Sequence, residues 1–257
     1  MKIALVQMRC EKAALEQNLA AHAAALEEAH RENVEIAAFP EMSLTGYTDP
    51  TRFPQAALEL NGPEVRRFLA LTRGLGLTAL AGLIESNPSG RPYITQIAAR
   101  EGRLLGFYRK QTIVDEEALW FSPGGEPPVF SHSGLPFGIA ICADIKNEAV
   151  FAACARQGAR LVFEVAAPGL YGEQATRNWR SGFEWWQGEC RLHLRRWARR
   201  YGIWIAVATQ AGRTCDEDFP GGGYVFTPQG ECACATPGWE PGVLYVELDL
   251  EGGRAAC

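Results

Sequence analysis

Three polar side chains stand where three apolar runs end. "EIAAFPEM" carries Glu41 just past a strand-like run, with the ladder-breaking Pro40 before it. "LLGFYRKQ" closes on Lys110, and "GIAICAD" closes on Cys142. A carboxylate, an ammonium and a thiol are the groups that acyl transfer requires. A thiol with an ordinary pKa of about 8.5 is mostly neutral near pH 7 and becomes a good nucleophile once a base takes its proton. Glu41 is the candidate base. Attack on a carbonyl carbon builds negative charge on oxygen, for which Lys110 and the backbone N–H of Ala143 are the candidate donors. Protonated Glu41 then hands its proton to the leaving nitrogen and activates water against the thioester. Each residue alone has a plainer reading: Cys142 as core filling, Glu41 as a loop acid or cap, Lys110 as a solvated strand end.

Elements must bring the three together. "IALVQM" (3–8), "EIAAF" (35–39), "FGIAIC" (137–142) and "RLVFEV" (160–165) read as buried strands; "LTALAGLIES", "YITQIAAR" and "LLGFYRK" add three, separated by the turns "NPSGRP" and "EGR". Leu15, Leu19, Ala23 and Leu26 fall at helical spacing, and 62–76 predicts a helix with Pro near its start and Gly at its end. A short helix near 147–158 and a long one over about 180–201 follow, then "IWIAVATQ", "GGYVFTP" and "VLYVELDL" as late strands. Strand–helix–strand units predict an α/β fold with parallel pairing and helices over the sheet faces. The carboxyl ends of such strands are where loops carry functional groups on a fixed base. With no repeat, linker or low-complexity tract, residues 1–257 are expected to form a single domain.

Composition narrows the partners. A formal net charge of −5 argues against nucleic acid as a partner. The basic run "RLHLRRWARR" (191–200) has its charges at helical spacing and reads as a solvated or interface helix face. No stretch approaches the roughly 18 to 20 apolar residues of a membrane span, and the apolar part of "MKIALVQMRC" is short for an export signal. Eight irregularly spaced cysteines in a chain of this length fit reduced thiols in a cytoplasm. Cys232 and Cys234 form a C-x-C without a second ligand pair, and the histidines are scattered, so neither a metal nor another cofactor is expected.

The motifs resemble the carbon-nitrogen hydrolases of the nitrilase superfamily. "FPEMSLTGY" is similar to that family's Pro-Glu-x-x-x-x-Gly-Tyr segment, "FYRKQTI" to its Arg-Lys segment and "GIAICADI" to its Gly-x-x-x-Cys-x-Asp segment, in the family's order and at spacings of 69 and 32 residues. "AGLIES", "FSPGGEP", "QGARLVFEVAAP" and "GGGYVFTPQGE" extend the likeness over almost the whole chain. The resemblance implies a four-layer αββα sandwich, with Glu41 as general base, Lys110 as oxyanion stabiliser and Cys142 as nucleophile. It also implies a second glutamate that orients Lys110, for which Glu117 is the best placed and the adjacent Glu116 a competitor. Pairing of two sandwiches across their helices, as a homodimer or higher homo-oligomer, follows from the same resemblance.

Tyr47 ends the first of these motifs, and Trp179 and Trp185 lie where a pocket rim is expected; core or dimer packing is the alternative for the tryptophans. The chain departs from many relatives at "WARRY" (197–201) and at Thr209, and its lysine-to-cysteine connection is short, which bears on subunit contacts and substrate preference. The expected activity is hydrolysis of a small amide or N-carbamoyl compound. A nitrile substrate, a non-catalytic module of the same fold and thiol redox chemistry at Cys232 and Cys234 are the rivals.

Overall fold

Strands that read as unbroken apolar runs are buried on both faces, and the computed structural model, which describes residues 1–257, places them in two sheets packed face to face. The first sheet is built on β1 (Lys2–Gln7), β2 (Ile36–Ala38), the two-residue β3 (Ala57–Leu58) and β4 (Thr78–Glu85). β1, β2 and β4 run parallel in that order, with β3 also parallel to β4. β5 (Tyr93–Arg100) and β6 (Arg103–Arg109) extend it antiparallel beyond β4. The second sheet has β7 (Phe130–His132) antiparallel to β8 (Leu135–Ile141), which is parallel to β9 (Leu161–Ala166) and through it to β10 (Trp204–Thr209). β11 (Ala211–Arg213) and β12 (Asp218–Pro220) form a separate hairpin. β13 (Gly223–Phe226) and β14 (Cys232–Ala235) complete the second sheet antiparallel, while β15 (Gly242–Asp249) and β16 (Arg254–Ala256) return to flank β1.

The expected parallel pairing therefore holds at the centre of each sheet and gives way to antiparallel flanks. The cause is connection length, since a parallel crossover needs a dozen or more residues. β5 and β6 are joined by Glu101 and Gly102 alone, both at positive φ (50° and 73°), as a tight hairpin requires.

Helices α1 (Leu15–Arg31) and α2 (Pro63–Leu71) cover the outer face of the first sheet, where Leu19, Leu26, Val65 and Phe68 meet Ala37, Ala79 and Leu83. α3 (Glu117–Trp120) is a single turn; α4 (Glu148–Arg156) and α5 (Trp179–Tyr201) cover the second sheet, where Phe151, Leu194 and Trp197 meet Val162, Ile205 and Val207. Between the sheets lies the largest core, 27 buried residues drawn from both, among them Leu80, Ile84, Phe163 and Val165. The layer order is α, β, β, α. α2 stops short of the predicted 62–76 because Gly74 and Gly76 adopt φ of 72°, and the Glu101 carboxylate accepts both of their N–H groups, at 2.9 and 3.0 Å.

Candidate active site

Glu41 follows β2 by three residues, past Phe39 and Pro40. Its loop is pressed onto β4, where Phe39 N–H bonds Leu80 O and Leu44 N–H bonds Gly82 O. Only glycine fits at 82, because a Cβ there would lie 2.2 Å from Met42 N and 2.8 Å from Pro40 O. From α1, His22 bonds Ser43 Oγ at 3.0 Å, and Ser43 Oγ accepts the Gly82 N–H at 3.0 Å. The glutamate thus rests on strand, helix and loop at once.

Lys110 leaves β6 with its N–H on Ile94 O and its own carbonyl accepting the Gly124 N–H at 2.7 Å. Arg109 points the other way, to Glu85, so alternation along the strand sends one cation out and the next inward. Buried Lys110 Nζ donates to Glu41 Oε1 at 2.9 Å and to Glu117 Oε1 and Oε2 at 2.7 and 2.9 Å. Glu117 opens α3 facing inward, while Glu116 beside it is exposed, which selects Glu117 from the two candidates for the place beside the lysine. Tyr47 OH donates to Glu117 Oε1 at 3.1 Å, which brings that tyrosine to the same cluster. The second oxygen of Glu41 accepts the Ala167 N–H at 3.1 Å, from the segment leaving β9.

Cys142 directly follows β8 and begins a 3₁₀ turn, Cys142–Lys146, with φ of 48°, a left-handed value that costs a non-glycine residue of order 1–3 kcal/mol. Asp144 holds that turn: its carboxylate accepts the N–H of Ile141 at 3.0 Å, the N–H of Thr112 at 2.9 Å and the Tyr108 hydroxyl at 2.8 Å. The bonds to Tyr108 and Thr112 lash the cysteine of the second sheet to the segment that carries Lys110 in the first. The thiol is near enough to the Glu41 carboxyl to favour its charge, and Cys142, Ala143 and Tyr47 are half-buried where Glu41, Lys110 and Glu117 are enclosed.

Burial dominates the electrostatics. Desolvation pushes Glu41 up to about 7, with the Lys110 ammonium opposing and the Glu117 charge adding to the rise. Desolvation pulls Lys110 down, but Glu41, Cys142 and Glu117 outweigh it and hold the ammonium charged, well above its ordinary range. Burial and the Glu41 charge push the Cys142 thiol up, against Lys110. The resting site therefore holds a neutral thiol beside a carboxyl poised near neutrality, an arrangement in which the proton moves when the sulfur attacks.

Other singled-out residues lie apart. Trp185 is exposed and lines a cleft of about 350 Å³ with Tyr171, Arg177 and Ser181, whose lining includes none of the groups above. Trp179 stands half-buried at the start of the same helix, α5. The basic face of α5 lines a cleft of about 780 Å³ with Arg191, Arg195 and Arg199, again away from the cluster. All eight cysteines are free thiols, no group of three or more His, Cys, Asp or Glu side chains is set out to hold a metal, and no helix is long and apolar enough to cross a membrane. Two buried acids near the site carry no role in the sequence motifs as read above: Asp144, inside the Cys-x-Asp motif, and Glu164, an acid within an apolar strand.

Comparison with known proteins bears on this geometry. Residues 2–256 match the carbon-nitrogen hydrolase family. A solved structure of an amidase of the nitrilase superfamily from Nesterenkonia sp. AN1 superposes with a TM-score of 0.82 at 27% identity, covering 96% of this chain and 90% of that one. A structure of a glutamate-to-glutamine mutant of that amidase carries the acetamide moiety of fluoroacetamide covalently added at its active-site cysteine. The chain is 26% identical over 238 residues to an omega-amidase of Xenopus tropicalis, covering 88% of this chain and 80% of the relative. It is also 24% identical over 258 residues to a glutamine-dependent NAD(+) synthetase of Acinetobacter baylyi; the match takes in 98% of this chain and spans 45% of that relative's length.

Proposed function

This chain belongs to the carbon-nitrogen hydrolase family, and on that premise we propose that it hydrolyses the C–N bond of a small amide or N-carbamoyl compound through a thioester on Cys142. Glu41 takes the thiol proton as sulfur attacks the carbonyl carbon. The oxygen, now negative, is held by Lys110 and the Ala143 N–H. Collapse of the tetrahedral intermediate breaks the C–N bond, and the nitrogen leaves as ammonia with the proton from Glu41. Water then enters, loses a proton to Glu41 and attacks the thioester; the acid departs and the sulfur recovers its proton. Glu117 and Tyr47 keep the lysine aimed throughout.

One observation carries the reading: a buried ammonium bonded to two carboxylates, with a thiol near one of them. Buried ion pairs contribute little net stability, because desolvation cancels most of their attraction. A fold that keeps this one, at the strand ends and beside a left-handed cysteine, supports a catalytic use. The amidase relatives support an amide ahead of a nitrile, and the acetamide adduct on the Nesterenkonia enzyme's cysteine supports a nucleophilic thiol.

The test is ammonia release from a panel of small amides, N-carbamoyl compounds and nitriles by the wild type and Cys142→Ala. Release by the wild type alone, from an amide or carbamoyl compound, is the expected result. Equal release by both proteins overturns the thioester route, release from nitriles alone replaces the substrate class, and no release from any member favours a non-catalytic module.

A further inference from the structure

One titratable group at the site has no role in the mechanism above and no hydrogen-bond partner. Glu164 lies within β9, wholly buried, and neither carboxyl oxygen makes a hydrogen bond. Its register partners are Ala140 of β8 and Val207 of β10, both members of the apolar layer beneath α4 and α5 that also holds Ile145, Trp186 and Cys190. The strand ends one residue beyond Ala140, at Ile141, and the next residue, Cys142, opens the turn, so the register sets Glu164 two positions from the nucleophile on the neighbouring strand. Two buried carboxyls thus flank the nucleophile's turn: Asp144 bonds the Ile141 and Thr112 N–H groups, and Glu164 stands unpartnered on the adjoining strand.

We propose, on the hydrolase reading above, that Glu164 is a positioning residue whose carboxyl supports the Cys142 N–H and so fixes the turn that presents the thiol and the Ala143 N–H to the substrate carbonyl. It acts as a neutral acid. The groups that face it are Asp144 of the 3₁₀ turn, Glu41, Lys110, the Cys142 backbone and the Cys190 thiol of α5. Burial first, then the charges of Asp144 and Glu41, hold it well above the usual carboxylate range, against the opposing Lys110. An ionised carboxylate here would hinder thiolate formation and repel the developing oxyanion. A neutral carboxyl instead offers a carbonyl oxygen to the N–H. The bond is not made in the free protein, and catalytic hydrogen bonds commonly tighten only once substrate is in place.

Two variants separate this role from packing. E164Q keeps the acceptor and removes the ability to ionise; E164L fills a similar volume and removes the acceptor. Iodoacetamide alkylation of Cys142 in E164Q is expected to follow the wild-type pH profile. A shift to lower pH by one unit, read as about 10-fold faster alkylation below the thiol pKa, means that Glu164 had carried charge and overturns the proposal. With the substrate that the panel identifies, E164L is expected to lose about 10-fold or more in kcat at unchanged KM, and E164Q to retain most of the wild-type turnover. Wild-type kcat in E164L, or E164Q as impaired as E164L, overturns it. Should E164L fail to fold, alkylation and turnover of E164Q decide. A wild type inactive on every compound sinks the hydrolase reading itself, whereas full turnover in E164L sinks only the role given to Glu164.

Discussion

At the scale of single residues, the proposed mechanism asks Glu41 to act twice, as a base toward the thiol and as an acid toward the departing nitrogen. Its pKa, raised to about 7 chiefly by desolvation, suits both duties near neutral pH. The direction of the pH dependence follows from this. The ionised form starts the reaction, so kcat/KM is expected to fall as pH drops through 7, approaching 10-fold per unit below it. A pH–rate profile of the wild type checks this, and a profile flat down to pH 5 would show that another group is the base. Glu41→Gln removes the acceptor for the proton while keeping an amide that can still meet Lys110. It should cost about 10²–10⁴-fold in kcat, measured as ammonia release, with far-ultraviolet circular dichroism unchanged.

The elements show why the site depends on parts that never touch substrate. His22 of α1 is wholly buried, with Nδ1 on Asn18 O at 2.7 Å and Nε2 on Ser43 Oγ. Asn18 O can only accept, so the neutral ring carries its proton on Nδ1, and Nε2 accepts from the Ser43 hydroxyl, whose oxygen in turn accepts the Gly82 N–H. Desolvation lowers this histidine to about 4 from an ordinary 6.5. Between these values the unfolded chain binds a proton that the folded chain refuses, so stability is lost as pH falls from 6.5 to 4, by roughly 3 kcal/mol from this one group. His22→Leu should cost about 1–3 kcal/mol at pH 7 by stranding Ser43, yet lose less on acidification; urea melts at pH 7.5 and 5 would show the two curves converge. Such elements were only partly legible in the sequence. Long apolar runs and helical spacing placed the central strands and α1, α4 and α5, and with them the strand ends bearing Glu41, Lys110 and Cys142. β3, β7, β11, β12, β14 and β16, at two to four residues each, are too short to show a period. Glu116 and Glu117 could not be told apart until one turn of helix faced one inward. Glu164 stayed hidden because a strand buried on both faces has no alternation to mark an intruding acid.

At the scale of the whole molecule, the site is a property of the gap between two sheets. Glu41 and Lys110 hang from the first sheet and Cys142 from the second, so the core between the sheets sets whether sulfur, carboxyl and amine meet. β5 offers a controlled comparison, because successive side chains on a strand point to opposite faces. Ile94 belongs to the inter-sheet core, and its carbonyl accepts the Lys110 N–H; Ile97, three residues on, belongs to the layer beneath α1 and α2. Both are buried, so Ile94→Ala and Ile97→Ala should each cost about 2–5 kcal/mol and lower the melting temperature to a similar extent. Their effects on chemistry should differ. A cavity at 94 lets the sheets settle and shifts Lys110 relative to the thiol, and displacement near 1 Å can cost about 10²-fold in rate; a cavity at 97 collapses against helices that hold no reacting group. Turnover measured well below both melting points should therefore fall at least about 10-fold further in Ile94→Ala than in Ile97→Ala. Equal losses in the two variants would mean that the sheets are held in register by the Asp144 hydrogen bonds to Tyr108 and Thr112 rather than by the packing between them.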